Sequence, residues 1–211
     1  MISHRYRCIF IHIPRCGGSS IEDVIWRQDE RTEANLWMGF ERPMHNRHQT
    51  GGLQHLLARQ VRSEVGQQVF GAYFKFAFVR NPWNKAVSQF SYTMQSRPDL
   101  REFANIRANA SFAEYLECIR RVKHVQWEQQ VKFLQDESGR RLVDYVGRFE
   151  SLARDAQVVF SRLGIAVKTV PHVNRADRAG FDGFTAETRD VVARMYAADI
   201  ATFDYSCPWP L

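Results

Sequence analysis

Cysteine is scarce in this chain of 211 residues: Cys8, Cys16, Cys118 and Cys207, with no C-x-x-C pair among them. That scatter supplies neither a disulfide framework nor a zinc-ligand block, and it fits a reducing compartment. Glycine (12) and proline (7) are also few, which excludes collagen-like and low-complexity classes. Long apolar runs are missing. The opening MISHRYRCIFIHIPRC holds only the six-residue stretch Cys8 to Ile13, with His12 inside it. Such a stretch is too short for a signal-peptide core or a bilayer span. The expectation is a soluble, cytoplasmic protein without a transmembrane segment.

What is present is ordinary globular material, 45% hydrophobic and 25% charged. The length suits a single domain over residues 1–211. Lys and Arg exceed Asp and Glu by 29 to 23, a net charge of +6, which favours an anionic partner without choosing one. The basic residues are dispersed rather than clustered with aromatics, so nucleic acid is not expected as that partner.

Residues Arg7 to Ile13 read as a buried strand closed by Pro14. Gly17 and Gly18 follow. A helix then carries Ile21, Val24 and Ile25 on one face, with Glu22 and Asp23 in its first turn. Residues Arg27 to Gly52 read as a long polar loop, and a helix is expected from about Leu53 to Val65. Phe76 to Val79 form a second strand, and Pro82 opens a helix with a stripe of Ala86, Val87, Phe90 and Met94. Further helices are predicted over Phe112–Arg120, Val125–Leu134 and Ser151–Leu163, with a strand over Leu142–Phe149. Thr185 reads as the N-cap of a last helix running through Phe203. Strands alternating with helices imply an α/β fold: a mostly parallel central sheet with helices on both faces.

Two loops carry the chemistry. In CIFIHIPRCGGSSIE a strand delivers the chain to the sheet's carboxyl edge, where α/β folds bind ligands. The two glycines let the backbone approach a ligand closely, and the following helix offers free N–H groups and a positive dipole end to an anion. Ser19 and Ser20 add hydroxyls, and Arg15 adds a fixed charge. A Walker A loop would need G-x-x-x-x-G-K-[ST], and no Lys follows Gly18 here. A cysteine phosphatase loop would need Arg six residues after its nucleophile; Cys16 has Glu22 there. A thiol at a helix start is acidified, so alkylating Cys16 is expected to block the loop. In FAFVRNPWNKAVSQFSY, Asn81 and Ser88 lie about two helical turns apart on one face. Arg80 and the Ser88 hydroxyl are then placed to grip a second anionic group.

The strings FIHIPRCGGSSIE, YFKFAFVRNPWNKAVSQFSY, LVDYVGRFE and PHVNRADR, in this order, resemble sulfotransferase family 2, relatives of carbohydrate sulfotransferases. The likeness runs from about residue 7 to residue 205. It implies a P-loop-like three-layer α/β fold and the donor 3′-phosphoadenosine 5′-phosphosulfate, with no metal. It places Arg15, Cys16, Gly17, Gly18, Ser19 and Ser20 around the 5′-phosphosulfate, and Arg80 and Ser88 at the 3′-phosphate. It also suggests that the loop carrying Arg175 and Arg178 folds over the 3′ end of the nucleotide. Family members usually carry Lys at the position of Arg15 and Thr at that of Cys16. The acceptor implied is a hydroxyl on a carbohydrate or glycoconjugate.

Sulfuryl transfer needs a base for that hydroxyl, and histidine is suited to the role. In related sulfotransferases the base comes from the interval between the two donor motifs, just before a helix. That points to His48 first and His45 second. His12, inside the strand, reads as a core histidine with a satisfied hydrogen bond. Trp83 or Trp37 is available to stack on adenine or a sugar ring. The rival readings are a P-loop-type nucleotide-dependent kinase and an inactive module that binds a nucleotide or anionic glycan.

Overall fold

The computed structural model describes residues 1–37, 48, 52–167, 181 and 183–209. In chain order the elements are β1 (Ile2–Ser3), β2 (Cys8–Ile11), α1 (Gly18–Ile25), α2 (Ala58–Ala72), β3 (Phe74–Val79), α3 (Pro82–Ser96), α4 (Pro98–Phe103), α5 (Phe112–Ile119), α6 (Gln130–Leu134), β4 (Tyr145–Arg148), α7 (Leu152–Arg162), α8 (Ala186–Met195) and α9 (Ala197–Phe203). They fall into two compact units, each assembled from two chain segments. One takes in the described residues within Met1–Val79 and Gln130–Asn174, the other those within Arg80–Gln129 and Arg175–Leu211.

The first unit holds a four-stranded sheet in the order β1-β2-β3-β4. β2, β3 and β4 run parallel, with Phe10 opposite Phe76 and Phe76 opposite Tyr145; β1 pairs antiparallel to β2 at the edge. Side-chain parity sorts the helices. Phe10, Phe74, Phe76 and Phe78 share one face. Trp26, at the end of α1, stacks on Phe10, and Arg162 of α7 lies 4.4 Å over the Phe74 ring. Lys75 points the other way and meets Phe70 of α2. Helices therefore cover both faces, as the alternation of elements implied. The stacked Phe10–Phe76 pair, with centroids 5.1 Å apart, sits at the centre. Burying each such ring contributes about 2–3 kcal/mol before ordering costs.

The second unit is helical. α3 packs against α4, α5 and α8, and Phe90, Phe112, Tyr115 and Phe181 form an aromatic cluster among them.

Several boundaries differ from the sequence reading. α1 begins at Gly18, so Glu22 and Asp23 lie beyond its first turn, which carries no acid. Short 3₁₀ turns at Gln28–Glu30 and Glu33–Asn35 interrupt the expected loop. The helix placed at Leu53 starts only at Ala58, after a 3₁₀ turn over Leu53–His55. Gly66, non-helical at φ +79° and ψ 156°, interrupts it directly after Val65, the expected end, and a second helical stretch continues across this kink to Ala72. The expected 125–134 helix is split: a 3₁₀ turn covers Val125–Trp127, Glu128 is extended, and α6 follows. The last helix breaks at Tyr196, whose hydroxyl donates to the Trp127 carbonyl at 3.0 Å. The third strand is shorter than expected, and neither β1 nor α4 was foreseen. No helix among the described residues is long and apolar enough to cross a membrane.

Candidate functional site

The first unit builds its site where β2 ends. Pro14 closes the strand, Arg15 takes a positive φ of 65°, and Gly17 sits in the left-handed region at φ 83°, ψ 14° as the N-cap of α1. A side chain at Gly17 would press on Leu152 and Phe149 as well as strain the backbone. Gly17, lacking a side chain, makes no cap bond to the helix start. The first turn carries no acid, so no carboxylate there opposes the positive dipole end of α1. Ser19 is exposed, Arg15 half-buried and Ser20 buried. The loop foreseen from the sequence is thus assembled.

Cys16 behaves differently from the expectation of a reactive thiol. Its side chain is 1% exposed and donates to Gln130 Oε1 at 3.3 Å and to the Pro14 carbonyl at 3.5 Å. The thiol is turned into the protein, where a reagent has no ready path.

Under the turn lies His12. Its Nδ1 meets Glu22 Oε1 at 2.6 Å, which bears out the reading of a buried histidine with its hydrogen bond made. Burial acts to raise the Glu22 carboxyl, but the charge and hydrogen bond of His12 outweigh it and bring the pKa down to about 2. The other end of the ring abuts the helix start: a Cβ on Gly18 would sit 2.0 Å from His12 Nε2. The main-chain carbonyl of His12 accepts from His55 Nδ1 at 3.0 Å, and the two rings meet edge to face at 4.7 Å.

His55 was passed over in the sequence, for a traceable reason. The rule pointed to a histidine just before a helix, and the helix was started at Leu53 rather than Ala58. With the observed start, the histidine preceding α2 is His55. His48 also has an orienting partner: its Nε2 lies 2.5 Å from Glu64 Oε1 of α2. Glu64 stands six residues into that helix, about 9 Å along its axis. His45, Arg175 and Arg178 lie outside the described residues.

The second unit presents RNPWNKAVS at the start of α3. Asn81 is the N-cap: its side-chain oxygen accepts from the N–H of Trp83 at 3.2 Å and of Asn84 at 3.5 Å, while Nδ2 donates to the Ser206 carbonyl at 2.8 Å. Arg80 is 8% exposed and Ser88 1%, so neither is an ordinary solvated surface residue. Lys85, also 1% exposed, reaches the Glu128 carbonyl at 3.5 Å and the Tyr196 ring at 5.4 Å. Trp83 is committed to packing, with its indole N–H on the Arg189 carbonyl at 3.1 Å; it is not poised to stack on a base. Among the described residues, no group of three or more His, Cys, Asp or Glu is arranged around a metal position.

A strand-turn-helix loop at the end of a parallel α/β sheet, followed in sequence by a capped Arg-Asn-Pro helix start, is the class of arrangement that proteins handling phosphate- or sulfate-bearing groups use. The comparisons give the chain a family. The model of the sulfotransferase family matches residues 1–206, and the chain belongs to that family, in the family 2 group recognised from its motifs. An uncharacterized protein of Archaeoglobus fulgidus is 27% identical over 126 residues, 56% of this chain and 91% of the relative. The crystal structure of a sulfotransferase from Alicyclobacillus acidocaldarius shares the fold, with a TM-score of 0.52 at 20% identity, covering 92% of this chain and 93% of that one. The chain is thus a transferase-family member with a P-loop-like α/β fold.

Proposed function

We propose that this protein transfers a sulfuryl group from 3′-phosphoadenosine 5′-phosphosulfate to a hydroxyl on a carbohydrate or glycoconjugate. The observation that carries the reading is the α1 N-terminus, which opens on a left-handed glycine and has no acid in its first turn. Such a start fits a doubly charged phosphosulfate, which supplies the transferable group when bound. The main-chain N–H groups of Cys16 to Ser20 and the Ser19 hydroxyl hold the anion. Arg15 stabilises the charge that builds on the departing phosphate; its fork differs in reach from the usual ammonium. Arg80 and Ser88 take the 3′-phosphate, as the resemblance implies, with Arg175 and Arg178 closing over it. The missing Walker lysine and the family match both favour this over a kinase.

His55 is the base the geometry favours. Its Nδ1–H is spent on the His12 carbonyl, so the neutral ring carries its lone pair on Nε2. It stands one ring away from the residue that abuts the anion turn. His48 keeps a second claim through its carboxylate partner Glu64, and His45 a third from its place in the same interval. His55→Ala should lower kcat by about 100-fold or more while adenosine 3′,5′-bisphosphate still binds. His48→Ala should keep most of its turnover; the reverse outcome moves the base to His48. For the donor itself, the bisphosphate should raise the melting temperature far more than adenosine 5′-monophosphate does. Equal shifts would remove Arg80 and Ser88 from the 3′-phosphate.

A further inference from the structure

A buried ion pair is a poor way to stabilise a core. Its desolvation cost roughly cancels its attraction, and an apolar pair of the same volume would serve as well. His12 and Glu22 are nevertheless buried together between β2 and α1, at 8% and 5% exposure. One face of the ring is covered by Phe10, which stacks on it at 5.3 Å and 15°. An apolar pair in place of both His12 and Glu22 would carry a lower electrostatic cost. What an apolar side chain could not do is hold one orientation through a directed bond.

Three contacts converge on that orientation. Glu22 fixes Nδ1. The Nε2 end of the ring lies against Gly18, the first residue of α1. The carbonyl of the same residue takes the Nδ1–H of His55. One residue thus touches the start of the anion-binding helix with its side chain and the nearby histidine with its backbone. Glu22 closes the loop, because it belongs to α1 and moves with it.

We propose that His12, clamped by Glu22, is a positioning residue that locks the anion turn and His55 into one register. The His12–Glu22 bond ties α1 to the end of β2, the ring sets how closely Gly18 approaches, and the carbonyl fixes which nitrogen of His55 carries the proton. The proposal rests on the reading of α1 as the anion site and of His55 as the base.

Glu22→Ala and Glu22→Gln test it. Glutamine keeps an oxygen that can accept from His12 Nδ1; alanine does not. Two readouts avoid dependence on turnover: calorimetric affinity for adenosine 3′,5′-bisphosphate, and the His55 tautomer from long-range ¹H–¹⁵N spectra of the ligand-free protein. Glu22→Ala should lose about tenfold in affinity and convert His55 from the Nδ1–H form to a mixture. Glu22→Gln should restore most of both. Affinity and tautomer unchanged in Glu22→Ala would overturn the proposal. So would a Glu22→Gln variant as impaired as the alanine one, since charge rather than position would then be at work. Should Glu22→Ala fail to fold, the glutamine variant and His12→Gln carry the same two readouts, and wild-type behaviour in His12→Gln overturns the proposal. If the wild-type protein ignores the bisphosphate, the donor reading fails while the tautomer still judges the clamp.

Discussion

A methyl group added at position 18 has nowhere to go. The atom it meets is not the loose end of a surface chain but an imidazole held by Glu22 and stacked on Phe10. Gly18→Ala should therefore cost about 1–3 kcal/mol of stability by overpacking, measured by urea denaturation, and should weaken bisphosphate binding with it. The sequence marks this glycine as part of the strand-to-helix loop, and it is the first residue of α1. The partner that makes it obligatory was hidden, because the ring arrives from the preceding strand and depends on an acid ten residues further along. Cys16 shows the converse. Its place in the loop was legible, but where its thiol points is set by Gln130, 114 residues away. Alkylation should accordingly label Cys118 and Cys207, which are half-buried, well before Cys16 or Cys8.

At the scale of the element, helix starts that carry a cap residue are legible in the sequence. Asn81-Pro82 is a cap followed by a residue with no N–H to satisfy, and α3 begins there. Asn81→Ala should cost about 1 kcal/mol from the lost cap and speed amide exchange at Trp83 and Asn84, with Ser206 losing its donor as well. Unchanged exchange would mean the cap is dispensable. The misread boundaries share a cause. Apolar spacing cannot tell a continuous helix from two short ones when a tertiary bond falls at the junction. The Tyr196 hydroxyl on Trp127 and the Lys85 ammonium on Glu128 are such bonds. Gly66, non-helical at φ +79°, interrupts α2 at a kink directly after Val65, and the helix resumes beyond it.

For the whole molecule, the Glu22 carboxylate links the site to acid stability. Its pKa is depressed from an ordinary 4.5 to about 2. The folded state then binds fewer protons than the unfolded chain, so the stabilisation is complete above the unfolded value and is lost as pH falls through 4.5 towards 2. Other carboxylates, Asp99 and Asp155 among them, are lowered as well. The comparison that isolates Glu22 is wild type against Glu22→Gln. The gap in urea midpoint should be widest near neutral pH and close in acid; a gap that does not change with pH would deny the pair its charge.

By itself the sequence determined the class of the sheet, the two loop-to-helix strings and the family, because these depend on local spacing: alternating strands and helices, paired glycines before a helix, a capped Arg-Asn-Pro start. Only the tertiary structure decided which histidine stands beside the glycine turn, why Gly18 tolerates no side chain, and that Cys16, Trp83 and Lys85 face inward. Those outcomes are set by contacts between residues far apart in the chain. No periodicity records them, since each requires two backbone segments to be brought to within hydrogen-bonding or van der Waals distance.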